Sequence, residues 1–365
     1  MKSTLAFALF ALSAGCGGHP LDLGGTPGGP NGSMGMKDSG ATGWPVPAQR
    51  NARSLRIDGA HLYWIADRGD GDVVMQCEKR DCANTLVTFA RIVRQPIAGI
   101  EIHAGTLYMA DPLSIYACST GDCKTPRYLV TNAEASAFAV HDQFVYWVHR
   151  GERTLYACPL SGCQRSNALV QKFDVDGVDV AVDENMLAWI EADTAYPKNP
   201  IAVGAIESKS GTSTRIVRQN QAASLALQGG FAYWVTSFTV GTIVRWSGSA
   251  EAEPQIVVDN QYFPNFVAPA GEMIFWMNGP TGPGDQRPVQ VLGCQVAACA
   301  STIEVLGEGL GGGIGTRNKG MPSREMVIDD DAIYWIGDVA NEGPAVDGSV
   351  LVKGSILRIE RRRSG

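Results

Sequence analysis

The chain has 365 residues, 43 of them glycine, with 18% charged side chains and a net charge of −7. Asp and Glu (37) outnumber Lys and Arg (30), and no basic run precedes Arg361, Arg362 and Arg363, so the electrostatic footprint of a nucleic-acid binder is missing. A Gly-rich chain with frequent Val, Ile, Tyr and Trp suits strands and turns rather than long charged helices.

In chain order, residues 1–15 carry Lys2, an apolar stretch from Leu5 to Leu12 and the small residues Ser13 to Gly15. This reads as a secretory signal, too short to remain as a membrane span. The junction Leu12-Ser13-Ala14-Gly15-Cys16 resembles the lipobox of bacterial lipoproteins, departing from it in having Ser13 where Leu is usual. The resemblance implies that Cys16 becomes the lipidated first residue of the mature chain, anchored at a membrane by its acyl groups. Residues 16–42 are dominated by Gly, Pro, Ser and Asn and read as a flexible tether. His19 lies in this tether with no second ligand nearby and reads as solvated.

Residues 43–365 are organised by a repeat: an apolar strand, a tight turn, then an aromatic pair followed by an aliphatic residue. The pairs are Tyr63-Trp64, Tyr108-Met109, Tyr146-Trp147, Ala188-Trp189, Tyr233-Trp234, Phe275-Trp276 and Tyr334-Trp335, with first members 45, 38, 42, 45, 42 and 59 residues apart. A period of about 42 is the length of one four-stranded propeller blade. Third strands such as Ser114 to Cys118 and Thr154 to Cys158, and fourth strands such as Arg127 to Val130, complete each unit. The expected fold is therefore all-β, a seven-bladed β-propeller of four-stranded blades, with the aromatic pairs buried between neighbouring blades. The last unit runs out after Ser355 to Glu360. Its fourth strand is expected from the other end of the chain, at residues 43–50, where Pro45 and Pro47 restrict it to an edge.

The run Leu62-Tyr63-Trp64-Ile65-Ala66-Asp67, preceded by Ile57-Asp58-Gly59, resembles the repeats of YWTD propellers found in lipoprotein receptors and related bacterial propellers. The likeness covers roughly residues 54–360. Ala66 and His149 stand where that family has aspartate, and there are seven units where it has six, so the resemblance implies the architecture and none of the receptor biology.

Nine cysteines divide into Cys16 and four pairs of equal spacing: Cys77 and Cys82, Cys118 and Cys123, Cys158 and Cys163, Cys294 and Cys299. Each pair falls at the turn between third and fourth strands, and the fourth, fifth and seventh units lack both members together. Residues that appear and vanish in pairs are partners, which selects four local hairpin disulfides, and the export signal supplies the oxidising compartment. Zinc would need about four ligands, whereas each hairpin offers two thiols on a separate blade.

His61, His103 and His141 lie at or beside the turn between first and second strands and read as turn residues. Gly307-x-Gly309-x-x-Gly312 matches a dinucleotide fingerprint by letters alone, without a strand-helix context. Asp67, Asp70 and Asp72 could hold calcium together with backbone oxygens, but their spacing is not that of an EF-hand loop and they read first as a solvated acidic turn; no other cofactor is expected. The loops between second and third strands vary most in length, from Asp111 to Leu113 up to Glu191 to Pro200, Asn278 to Pro288 and Gly337 to Gly354. Equivalent loops open on one face, so ligand contacts are expected there, from Asp67, Asp111, His149, Arg150, Glu191, Asp193, Tyr196, Arg287 and Asp338. The expected function is a non-enzymatic binding or scaffold module on the cell envelope, with an envelope protein or glycan as partner. The alternative is a propeller enzyme, a lyase, lactonase or sugar-processing activity, at the central face.

Overall fold

The computed structural model describes residues 46, 49–91, 96–149, 151–163, 168–173, 176–192, 200–207, 215–220, 222–236, 239–249, 252–279, 289–309, 325–344 and 350–361. Residues 1–45, with Cys16, the signal and the tether, lie outside this set.

Among the described residues the strands form seven four-stranded antiparallel sheets. Six are simple meanders: blade 1 (53–91), blade 2 (99–131), blade 3 (135–172), blade 4 (176–220), blade 5 (222–262) and blade 6 (264–309). Each first strand touches the first strand of the next blade, and Met326–Ile328 of the last touches Arg53–Asp58 of the first. The ring closes into a β-propeller of four-stranded blades.

The aromatic pairs explain how the blades stack. Side chains alternate across a strand, so the two members of a pair face opposite neighbours. Trp64 packs with Tyr334 and Ile336 of the last blade, while Tyr63 packs with Leu107 and Met109 of blade 2. The strand His61–Asp67 is buried at all five interior positions because both of its faces are covered. The turns before these strands are closed by Asx geometry: Asp183 Oδ1 accepts from the N–H groups of Asn185 and Met186, and Asp329 Oδ1 from those of Asp331 and Ala332.

Closure of the ring uses both ends of the chain. The last blade is ordered Gln49–Arg50, Val350–Glu360, Ala332–Pro344, Met326–Ile328, with Gln49 opposite Gly354 and Arg50 opposite Lys353. The N-terminal strand is the edge strand, and just before it the Val46 N–H donates to the Ile356 carbonyl at 3.2 Å with the side chain fully buried. One expectation is corrected here. Residues 337–344 and 350–354, expected within a loop, are strand: pairing continues from Gly337 opposite Ser355 to Pro344 opposite Val350, making a two-stranded ribbon with two register shifts.

All four cysteine pairs are bonded, with Cα–Cα separations of 4.8, 5.2, 5.6 and 5.0 Å. Beyond closing its own hairpin, each disulfide leans on the preceding blade. Cys77 and Cys82 pack with Tyr334 and Ile336 of blade 7, Cys123 with Ile65 and Val74 of blade 1, Cys158 with Ala110 and Ile115 of blade 2, and Cys294 and Cys299 with Val235 and Ile243 of blade 5. Disulfides of this number belong to a chain that works outside the reducing cytoplasm.

Candidate functional site

In a four-stranded meander the first and third turns lie at one end, and the second turn and the link to the next blade at the other. The disulfide hairpins therefore share a turn face with Asp58, His103 and His141, and the variable loops share the opposite, loop face. The sequence places its candidate ligands on the loop face, and the structure shows what each described one holds.

In blade 1, Asp67 Oδ1 accepts from the Gly69 N–H at 2.7 Å and its other oxygen lies 3.9 Å from Arg50. Asp70 is gripped by both terminal nitrogens of Arg91, at 2.9 and 3.0 Å, and this hydrogen bonding holds its carboxyl below the usual range. Buried Asp72 accepts from Arg53 Nη2 at 2.5 Å and from the Ile97 N–H at 2.9 Å, while the same nitrogen donates to the Ile97 carbonyl at 2.7 Å. Asp72 thus ties blade 1 to the link into blade 2. These three carboxylates are each committed to different partners, and no group of three His, Cys, Asp or Glu suited to a metal exists among the described residues.

A shared register links the next blades. The residue just after each aromatic–aliphatic triplet is Asp111, His149, Glu191, Thr236 or Asn278; the first four bond to groups of their own blade, and Asn278 reaches Gln261 on the outer strand of blade 5. Asp111, 1% exposed, accepts from the N–H groups of Leu113 and Ser114 at 2.7 and 2.6 Å and from the Tyr116 hydroxyl at 2.7 Å. Burial first, then these contacts and the neighbouring Tyr128, push the Tyr116 hydroxyl far up. Glu191, 4% exposed, accepts from the Trp189 indole at 3.0 Å. Thr236 accepts from the Thr242 N–H at 2.8 Å, and Asn278 donates to Gln261, which also takes the Trp276 indole N–H at 2.9 Å. The last two were missed from sequence; the shared spacing after the aromatic pair was the signal.

His149 is the most open member of this series. Its Nδ1 accepts from the Glu152 N–H at 3.3 Å, its Nε2 lies 3.8 Å from the Glu152 carboxylate, and the Tyr156 hydroxyl donates to the same carboxylate. The Glu152 side chain is 56% exposed. Arg150, Asp193, Tyr196 and Arg287 lie outside the described residues, and of Asp338 only its place in the strand Ala332–Pro344 is described.

The scaffold beneath the loops is braced between blades by polar groups at irregularities of the inner strands. Register shifts fall at Arg53/Arg56, Ala135/Ala137, Gly177/Asp179 and Ala223/Ala226. There Arg56 pairs with Glu101 at 2.7 Å, Ser136 donates to the Gly177 carbonyl at 2.9 Å, Asp179 accepts from the Leu225 N–H at 2.9 Å and Ser224 from the Val267 N–H at 3.1 Å. Each reaches from one blade to the next. Above this brace, Leu113 and Val240 stand 49% and 60% exposed on the loop face.

No family model matches the sequence, and no curated protein matches it. Solved structures do. A chain of a nidogen/laminin complex is 15% identical over 68% of this chain and 93% of its own, with a TM-score of 0.49. Hydrazine synthase of Kuenenia stuttgartiensis is 12% identical over 75% of this chain and 83% of its own (TM-score 0.51). Puromycin hydrolase is 12% identical over 83% of this chain and 51% of its own (TM-score 0.53), so the likeness spans about half of that enzyme. At these identities the likeness to the last two concerns the fold alone.

Proposed function

We propose that this chain is an exported lipoprotein, lipidated at Cys16, whose seven-bladed, YWTD-like propeller is a non-catalytic binding module. It presents its loop face to an envelope protein or glycan. The carrying observation is how the loop-face polar groups are used: Asp67, Asp72, Asp111, Glu191 and Thr236 are committed to backbone or indole N–H groups of the scaffold. Such groups hold loops in fixed positions, which suits recognition by shape, with Leu113, Val240 and the Glu152 carboxylate as exposed contact points.

The test is photo-crosslinking in the native envelope. A benzoylphenylalanine placed at Leu113 or Val240 on the loop face is expected to capture a partner, whereas one at Phe144, exposed on the turn face, is not. Adducts from Phe144 alone would overturn the assignment of the face. Lipidation is tested separately by an alkyne fatty-acid label that Cys16→Ser should abolish.

A further inference from the structure

The seam between blades 7 and 1 differs from every other seam in the ring because the chain link that crosses it, through residues 51 and 52, leads only to the strand Gln49–Arg50, which is joined to the other three strands of blade 7 by pairing alone. The last blade is held to the first by the two-residue strand Gln49–Arg50, by Val46 and by side chains. The Cys77–Cys82 disulfide sits at the centre of this seam. Its cysteines are 1% and 0% exposed, covered by Val46, Tyr334, Ile336 and Ile356. Within the hairpin it closes, Lys79 Nζ reaches Asp329 Oδ2 of blade 7 at 2.5 Å, with both side chains 18% exposed. The other disulfides differ in one respect or the other. Cys118 and Cys163 are only partly buried, and Cys294–Cys299, although buried, is covered by blade 5, which the chain itself joins to blade 6.

We propose that Cys77–Cys82 is a redox-sensitive latch on the ring. A dithiol reaches it only when blades 7 and 1 part, and its reduction frees the N-terminal strand. The chemistry is ordinary thiol–disulfide exchange. A thiolate of the dithiol attacks one sulfur and releases the other as a cysteine thiolate. The second thiol of the dithiol then displaces the mixed disulfide. The protein gains two electrons and two protons as two thiols, and the dithiol becomes a disulfide. An attacking thiolate needs direct access to sulfur, which the closed seam denies.

The experiment follows reduction of each disulfide in the full-length protein under dithiothreitol, by timed alkylation and mass spectrometry. Cys118–Cys123 and Cys158–Cys163 are expected to open before Cys77–Cys82. Lys79→Ala removes the ion pair without touching sulfur and should speed reduction of Cys77–Cys82 about two- to five-fold while leaving Cys294–Cys299 unchanged. Val46→Ala should act in the same direction. Equal acceleration of both buried disulfides, or of neither, would overturn the latch. As a second readout, tryptic cleavage at Arg50 should rise in Cys77→Ser/Cys82→Ser and not in Cys294→Ser/Cys299→Ser. Should the first double variant not fold, the rates in Lys79→Ala still decide.

Discussion

Blades 1 and 5 close the same hairpin by different means. In blade 1 the residue opposite Leu62 is Cys77, bonded to Cys82; in blade 5 the residue opposite Ala232 is Trp246. Cys118, Cys158 and Cys294 hold the corresponding place in blades 2, 3 and 6. Trp246 is 1% exposed and packs with Ala181, Met186 and Ala188 of blade 4, while its indole N–H donates to the Ala252 carbonyl at 2.9 Å. The place thus has two requirements: an apolar plug against the preceding blade and a tie to the returning chain. A disulfide meets both with a small plug and a covalent tie. A tryptophan meets both with a large plug and a hydrogen bond.

The comparison breaks first at the plug. Trp246→Ala leaves a cavity between blades 4 and 5 and should cost about 3–5 kcal/mol, read as a lowered urea midpoint. Removing a disulfide should cost less: Cys294→Ala/Cys299→Ala is expected to lose about 2 kcal/mol through the short closed loop, in the same titration. A larger loss there than in Trp246→Ala would mean that the tie outweighs the plug. Trp246→Phe keeps most of the plug and removes the bond to Ala252, and should cost about 1 kcal/mol.

The smallest effect is one of pH. Burial alone would raise the Asp329 carboxyl, but Lys79 and the N–H groups of Ala332 and Asp331 outweigh it and hold it below its ordinary value. A depressed carboxyl contributes stability that is present above the unfolded range, near pH 4, and lost as pH falls through the folded value. Acidification below about pH 4 should therefore loosen the blade 1 hairpin against blade 7 before it affects the blade 5 hairpin, seen as faster amide exchange, corrected for intrinsic rates, around Lys79 than around Trp246.

Much of the fold was legible because the repeat carries its own check. The Tyr-Trp pairs recur at blade length, and the cysteines come and go in twos, so blades and disulfides could be read from one chain. Trp246 was in plain view in a unit lacking cysteines, but its equivalence to Cys77 needs the pairing register, which sequence spacing alone does not supply. The stretch from Gly337 to Pro344 reads as a loop in sequence because its Gly, Asn and Pro residues are poor strand formers, and pairing with Val350–Glu360 overrides that preference.

The loop face was harder to read. Asp111, His149 and Glu191 have the residue types of a ligand site, yet their partners are backbone amides, an indole and a neighbouring glutamate. Only coordinates reveal such partners. The same holds for Asp72, whose bonds reach 19 and 25 residues along the chain.

That each disulfide hairpin rests on the blade before it gives the ring a direction of assembly. A chain emerging from its N-terminus makes every support before the hairpin that needs it, so blades 2, 3 and 6 can set their disulfides as they appear. Blade 1 is the exception, since its support is made last. Cys77 and Cys82, the first of the paired cysteines to emerge, therefore wait for the final strand before their seat exists, and the first blade made is the last to be fully seated.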